Sequence, residues 1–131
     1  MDLGLADKVA LVTGGSGGIG RAIVRLLAAE GAHVIIHYHT GRDRAEALRQ
    51  ELPRESLVLG ADLTQEDEVR RLFADAVRWR GRLDLLIANA GASPHEGIAI
   101  KDLTTEQWDF EFRVNARSVF YCVRELSLIH I

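Results

Sequence analysis

The chain has 131 residues, room for one modest domain, with 47% hydrophobic and 27% charged residues. A chain this long can bury about 70% of its unfolded surface, so a packed core is expected and long disorder or a disulfide scaffold is not. A formal net charge of -3 and a single cysteine, Cys122, give no basis for nucleic-acid binding, a disulfide bond or a cysteine-based zinc site.

The start, Met1 to Lys8, has neither a basic segment nor an apolar run, so no signal peptide is expected. Val9 to Thr13 is a short apolar run ending in glycines, the pattern of a strand buried on both faces. Ile19, Ala22, Ile23, Leu26 and Leu27 then recur at helical spacing, and Gly31 stands where a helix C-terminus takes a left-handed residue. His33 to His37 reads as a second strand, and Arg42 to Leu52 as a charged surface helix stopped by Pro53. Ser56 to Gly60 is the third strand. Val69, Leu72, Phe73, Ala76 and Val77 mark the next helix, which Gly81 ends. Leu83 to Ala88 is the fourth strand; the run to Ala90, broken by Asp84 and Asn89, is far too short to span a bilayer. An irregular loop from Gly91 to Asp102 precedes a fourth helix over Thr105 to about Arg124, with Thr104 and Gln107 spaced for a capping box. This uninterrupted β-α alternation predicts the α/β class, with a parallel sheet covered by helices.

The first strand-to-helix turn reads Thr13-Gly14-Gly15-Ser16-Gly17-Gly18-Ile19-Gly20. A glycine-rich turn at this place lets backbone N–H groups and the positive end of a helix face a pyrophosphate. Gly14 would allow the tight turn, Gly18 the close approach of a ligand, and Gly20 the packing of helix on strand. The plain alternative is a connector without a ligand. No Gly-Lys-Ser/Thr follows, which excludes a P-loop. His33, His37, His39 and His95 make no convincing ligand set, so no metal is expected.

The spacing T-G-x-x-x-G-I-G resembles that of the short-chain dehydrogenase/reductase family, and three further landmarks follow in the family's order. Asp62-Leu63 comes after the third strand, Asn89-Ala90-Gly91 ends the fourth, and Val114-Asn115 lies within the fourth helix. Leu103 to Asp109 is similar to the run that introduces that helix. The resemblance covers about Asp7 to Glu125. It implies a Rossmann-type doubly wound sheet, here the N-terminal part only, with strand order 3-2-1-4. It also implies hydride transfer between a nicotinamide dinucleotide and a small carbonyl or alcohol substrate, and a homo-oligomeric parent; the lack of a signal peptide and of a spanning run makes the cytoplasm the expected setting, with no membrane partner. Gly14, Ser16, Gly17, Gly18, Ile19 and Gly20 would hold the pyrophosphate, and Asp62 and Leu63 the adenine. Asn89, Ala90, Gly91 and Val114 would line the groove, and Asn115 would serve catalysis by holding a water in a proton relay. Each also has a plainer reading: Asp62 as a helix cap, Asn89 as a turn residue, Asn115 as a solvent-facing side chain.

Past the second strand, Tyr38, His39 and Thr40 offer no carboxylate to the ribose hydroxyls of NAD, and the next acid is Asp43. Arg42 and Arg44 are placed to meet a phosphate, so NADP(H) is favoured over NAD(H), although both arginines also suit a helix surface. Gly17 stands where NADP(H)-dependent relatives often carry arginine. The family's serine and Tyr-x-x-x-Lys are not found: Tyr121 is followed by Glu125, not lysine. The 131 residues are therefore expected to form an inactive portion of an enzyme, the alternative being a non-catalytic dinucleotide-binding or regulatory module. Leu126 to Ile131 breaks the preceding helical pattern with a β-branched run. It also translates CTG-TCT-CTT-ATA-CAC-ATC, a transposon end used in sequencing adaptors, so 126–131 is expected to be a non-native tail on a domain spanning 1–125.

Overall fold

A computed structural model describes residues 1–130. Ile131, the last residue of the expected tail, lies outside the described residues. Four parallel strands, β1 (Val9–Val12), β2 (His33–Tyr38), β3 (Leu57–Gly60) and β4 (Leu85–Ile87), form one sheet in the order β3-β2-β1-β4. Val9 pairs with His33 and Ala10 with Leu85, which puts β1 at the centre of the sheet.

The two-residue period of the strands divides the core between the faces. Val9, Leu11 and Ile35 point to one side, against Val69, Leu72, Phe73 and Ala76 of α3 (Glu66–Arg80) and Cys122 of α5 (Ser118–Ile129). Val12, Val34 and Ile36 point to the other, against Val24 and Ala28 of α1 (Gly18–Ala29) and Ala45 and Leu48 of α2 (Arg42–Glu51). Both faces are thus covered, as the continuous apolar strands require. Burial, with Glu125 nearby, pushes the Cys122 thiol up to about 11. Among the described residues no helix is long and apolar enough to cross a membrane, and no group of three His, Cys, Asp or Glu side chains is placed to hold a metal.

The helix ends follow their local chemistry. Gly31 (φ 89°) and Gly81 (φ 72°) take the left-handed conformation after α1 and α3. Thr104 and Gln107 form the reciprocal capping box of α4 (Thr105–Phe112).

Two expectations are corrected. The inward face of α1 is Gly20, Val24 and Ala28, while Ile19 and Leu26 face out. Gly20 is pressed against the glycine turn, which rotates the helix away from the face its apolar stripe suggests. The helix expected over 105–124 is divided by a π turn at Arg113–Arg117 and continues through α5 to Ile129. Side chains enter the backbone ladder there: Asn115 Nδ2 donates to Glu111 O at 3.0 Å and Ser118 Oγ to Val114 O at 2.7 Å. Leu126 and Ile129, within the segment expected to be a tail, lie against the cluster around Phe73.

Candidate functional site

The carboxyl ends of all four strands open on one side of the sheet, the position at which open α/β sheets bind ligands. The glycine turn is built from β1, β2 and β4 together. Gly14 takes φ 62°, a left-handed conformation that a side chain would strain. Gly15 N donates to His37 O at 2.9 Å, and Gly17 N to Gly14 O at 3.2 Å. Thr13 Oγ1 accepts from Asn89 N and Ala90 N, both at 3.0 Å, while Asn89 Nδ2 donates to Thr13 O at 3.0 Å and Gly14 O at 3.3 Å. Asn89 is thus a satisfied strand-end side chain that ties the end of β4 to the turn.

Beyond the turn, α1 begins at Gly18 with no side chain capping it and no acid in its first turn. Its first N–H groups are therefore offered to the cleft. A Cβ placed on Gly18 would meet nothing within 4 Å, whereas one on Gly20 would overlap Gly14 O and Asn89. The cleft here is about 520 Å³, and it takes in Gly14, Ser16, Gly17, Gly18, Ile19 and Gly20 on one wall and Tyr38, His39 and Thr40 on another. Arg44 also lines it. A Cβ on Gly41 would stand 3.0 Å from Arg44 Nε and 3.0 Å from Ser16 Oγ, so these three residues converge past the end of β2. Arg42 is exposed and lines neither this cleft nor its neighbour.

A second cleft of about 530 Å³ adjoins it through His37, His39, Ala90 and Gly91, and is lined by Asp62, Leu63 and Val114. Asp62 Oδ1 accepts from Thr64 N at 2.9 Å and Thr64 Oγ1 at 2.7 Å. Burial opposes its charge, but these two bonds, with His39 and Arg113 nearby, hold the carboxyl below the usual carboxylate range. Asn115 sits behind Gly91. Its Oδ1 accepts from Ala92 N at 3.0 Å and its Nδ2 donates to Ala92 O at 2.7 Å, fixing the start of the loop after β4. Farther along that loop, His95 Nδ1 pairs with Glu111 Oε1 at 2.9 Å.

The geometry thus gathers the glycine turn, Tyr38 to Thr40, Asp62-Leu63, Asn89 to Gly91 and Val114 around one continuous hollow, with Asn115 directly behind it. Sequence reading missed Arg113 and Ser118 on the second cleft, and the structural part of His37, whose only sequence signal was its polarity within a buried strand.

The family model described as "short chain dehydrogenase" matches residues 8–129. The chain is 40% identical over 130 residues to "Short-chain dehydrogenase/reductase FrzI" of Cladobotryum sp, covering 97% of this chain and 49% of the relative. It is 34% identical to a "3-oxoacyl-[acyl-carrier-protein] reductase FabG" of Staphylococcus epidermidis over 92% of this chain and 50% of the relative. Among solved structures, a short-chain dehydrogenase/reductase from Serratia marcescens superposes with a TM-score of 0.88 at 37% identity, covering 95% of this chain and 51% of that one. The chain spans about half the length of the relatives it matches.

Proposed function

The chain belongs to the short-chain dehydrogenase/reductase family, and from that premise we propose that the whole protein transfers hydride between a nicotinamide dinucleotide and a carbonyl or alcohol. These residues supply the dinucleotide cleft. The observation that carries the reading is the start of α1: an uncapped helix N-terminus, open space over Gly18, and a cleft leading from it to Asp62. Such an end suits a diphosphate, because free N–H groups and the helix dipole both favour negative charge.

The free N–H groups of Gly18, Ile19 and Gly20, with Gly14, Ser16 and Gly17 shaping the turn, would hold the pyrophosphate. Asp62 would accept from the adenine amino group beside Leu63, and Ala90 and Gly91, held by Asn89, would form the wall behind the ribose with Val114. Asn115 keeps that wall and the following loop in place, and its backbone would hold a relay water. When bound, the nicotinamide ring supplies the hydride acceptor or donor. The phenol and ammonium groups that move the proton in this family have no counterpart in the sequence, since Tyr121 lacks a lysine four residues on. We therefore assign nucleotide binding without turnover to these 131 residues.

NADP(H) is the preferred cofactor. The side chain at the end of β2 is Tyr38, which does not repel a 2′-phosphate as a carboxylate would, and Ser16, Thr40 and Arg44 border the same part of the cleft. Arg44 takes the role that the sequence divided between Arg42 and Arg44. Relatives named as reductases of carrier-bound 3-oxoacyl chains and of versicolorin support a carbonyl substrate.

Titration of this chain with NADPH and NADH, followed by nicotinamide fluorescence, tests the reading. Saturable binding of NADPH with no oxidation across a carbonyl panel is expected. Absence of binding to either dinucleotide overturns the reading, and steady NADPH oxidation abolished by Asn115→Ala overturns the assignment of binding without turnover.

A further inference from the structure

His37 is the fifth residue of β2 and is 1% exposed. Its ring fills the space between the glycine turn and the end of β3. Nδ1 lies 3.0 Å from Gly14 N and Nε2 lies 2.9 Å from Ala61 O. An amide N–H can only donate and a carbonyl can only accept, so these two partners dictate a neutral imidazole with its proton on Nε2. The backbone of the same residue accepts from Gly15 N at 2.9 Å. His37 thus grips the turn by ring and by backbone, and through Ala61 it holds the residue next to Asp62.

We propose that His37 is a positioning residue for the dinucleotide, locking the glycine turn only as the neutral Nε2–H tautomer and releasing it on protonation. A proton on Nδ1 would point at the Gly14 N–H, replacing a hydrogen bond by two opposed donors. The turn that presents the α1 N-terminus would then keep only the backbone bond from Gly15 N as its tie to His37. This rests on the reading that the cleft holds a dinucleotide.

Burial favours the neutral ring, outweighing the bond to Ala61 and reinforced by His39, and it lowers the His37 pKa below the ordinary histidine value. The lock therefore holds at neutral pH and opens on the acid side of the ordinary histidine range. The other titratable or charged side chains on the clefts that His37 borders are Tyr38, His39, Arg44, Asp62 and Arg113. Protonation of His39 adds positive charge near a diphosphate and strengthens its binding, the opposite sign. Asp62 is itself held below the usual carboxylate range by its bonds from Thr64.

The test uses ADP-ribose, a diphosphate without a 2′-phosphate, titrated calorimetrically into the 131-residue chain from about pH 8 down to about pH 4.5. Wild type is expected to bind evenly on the alkaline side and to weaken by about tenfold on the acid side, the scale of one lost hydrogen bond. His37→Asn offers a non-titrating acceptor to Gly14. It forfeits the bond to Ala61 O, so it is expected to bind more weakly than wild type at pH 8 but with a flat profile, while His39→Asn keeps the acid loss. Nitrogen-15 spectra of the histidine rings and exchange of the Gly14 amide read the lock without ligand. The expected results are an unprotonated Nδ1 at pH 8 and Gly14 protection that falls with acidification in wild type. If ADP-ribose does not bind at any pH, the dinucleotide reading fails while the ring and amide data still decide the lock. An Nδ1–H tautomer at pH 8, or an acid loss as steep in His37→Asn as in wild type, overturns the proposal. If His37→Asn does not fold, the wild-type tautomer and Gly14 exchange decide it.

Discussion

Gly18 and Gly20 are two residues apart at the start of α1, yet a methyl group on each meets opposite surroundings. At Gly20 it would overlap Gly14 O and stand 2.8 Å from Asn89 Nδ2, inside the hydrogen bonds that join β4 to the turn. Overpacking of this kind costs about 1–3 kcal/mol, and displacing Asn89 forfeits about 1 kcal/mol more per bond. Gly20→Ala should therefore lose about 3 kcal/mol. At Gly18 the methyl meets nothing within 4 Å. There the reduced freedom of the unfolded chain should leave stability unchanged or raise it by up to about 1 kcal/mol. The same methyl stands where the pyrophosphate would approach, so Gly18→Ala should weaken NADPH by about tenfold to a hundredfold, equivalent to the 1–3 kcal/mol of a steric intrusion. Urea unfolding of each variant gives the stabilities and fluorescence titration the affinities. Gly20→Ala as stable as wild type, or Gly18→Ala binding NADPH unimpaired, would refute the reasoning.

Arg44→Ala should weaken NADPH by about one to two decades through loss of a charge-assisted bond to phosphate, and leave NADH within about threefold; equal losses for both cofactors would remove Arg44 from the 2′-phosphate. Asp84 accepts from Arg82 and from Val9 N at 2.8 Å. The Arg82 bond, against burial and with help from Val9, holds its carboxyl below the usual carboxylate range. Its contribution is therefore present above the unfolded value near 3.9 and lost as pH falls through the lower folded value. Asp84→Ala should cost about 1–2 kcal/mol at pH 7 and progressively less below about pH 4, read from urea midpoints across that range. Thr104→Ala should cost about 1 kcal/mol through loss of the capping box, measured by thermal unfolding.

Much of the fold was written locally. Each strand is a short apolar run and the first three helices end at a recognisable glycine or proline, so the order of elements and the capping box could be read directly, whereas the last helix, with no such stop, runs on to Ile129. Where two signals competed, the sequence misled: Ile19 and Leu26 satisfy helical spacing, but close contact at Gly20 sets the rotation of α1. The π turn left no trace in the spacing, because it depends on side chains of Asn115 and Ser118 replacing backbone partners. The site divides in the same way. The glycines, Asp62 and Asn89 stand in recognisable motifs. His37 does not, since its partners Gly14 and Ala61 are 23 and 24 residues away and meet it only once the sheet has formed. Arg42 and Arg44 are indistinguishable as letters; the direction each takes from the first turn of α2 separates them.

The π turn has a consequence for how this region tolerates change in length. Each residue of an α-helix advances the side chains by about 100°, so a single-residue surplus fixes the angular phase between α4 and α5. Removing any one residue from Arg113–Arg117 would let the helix relax to regular winding while turning everything downstream by about that angle. Cys122 and Leu126 would swing off the face of α3, and, where Arg113 or Val114 is the residue removed, Asn115 would part from Ala92. Packing on the sheet and tethering of the loop after β4 are thereby geared together through five residues, and a family member that shortened this helix by one residue ahead of Asn115 would have to rebuild both at once.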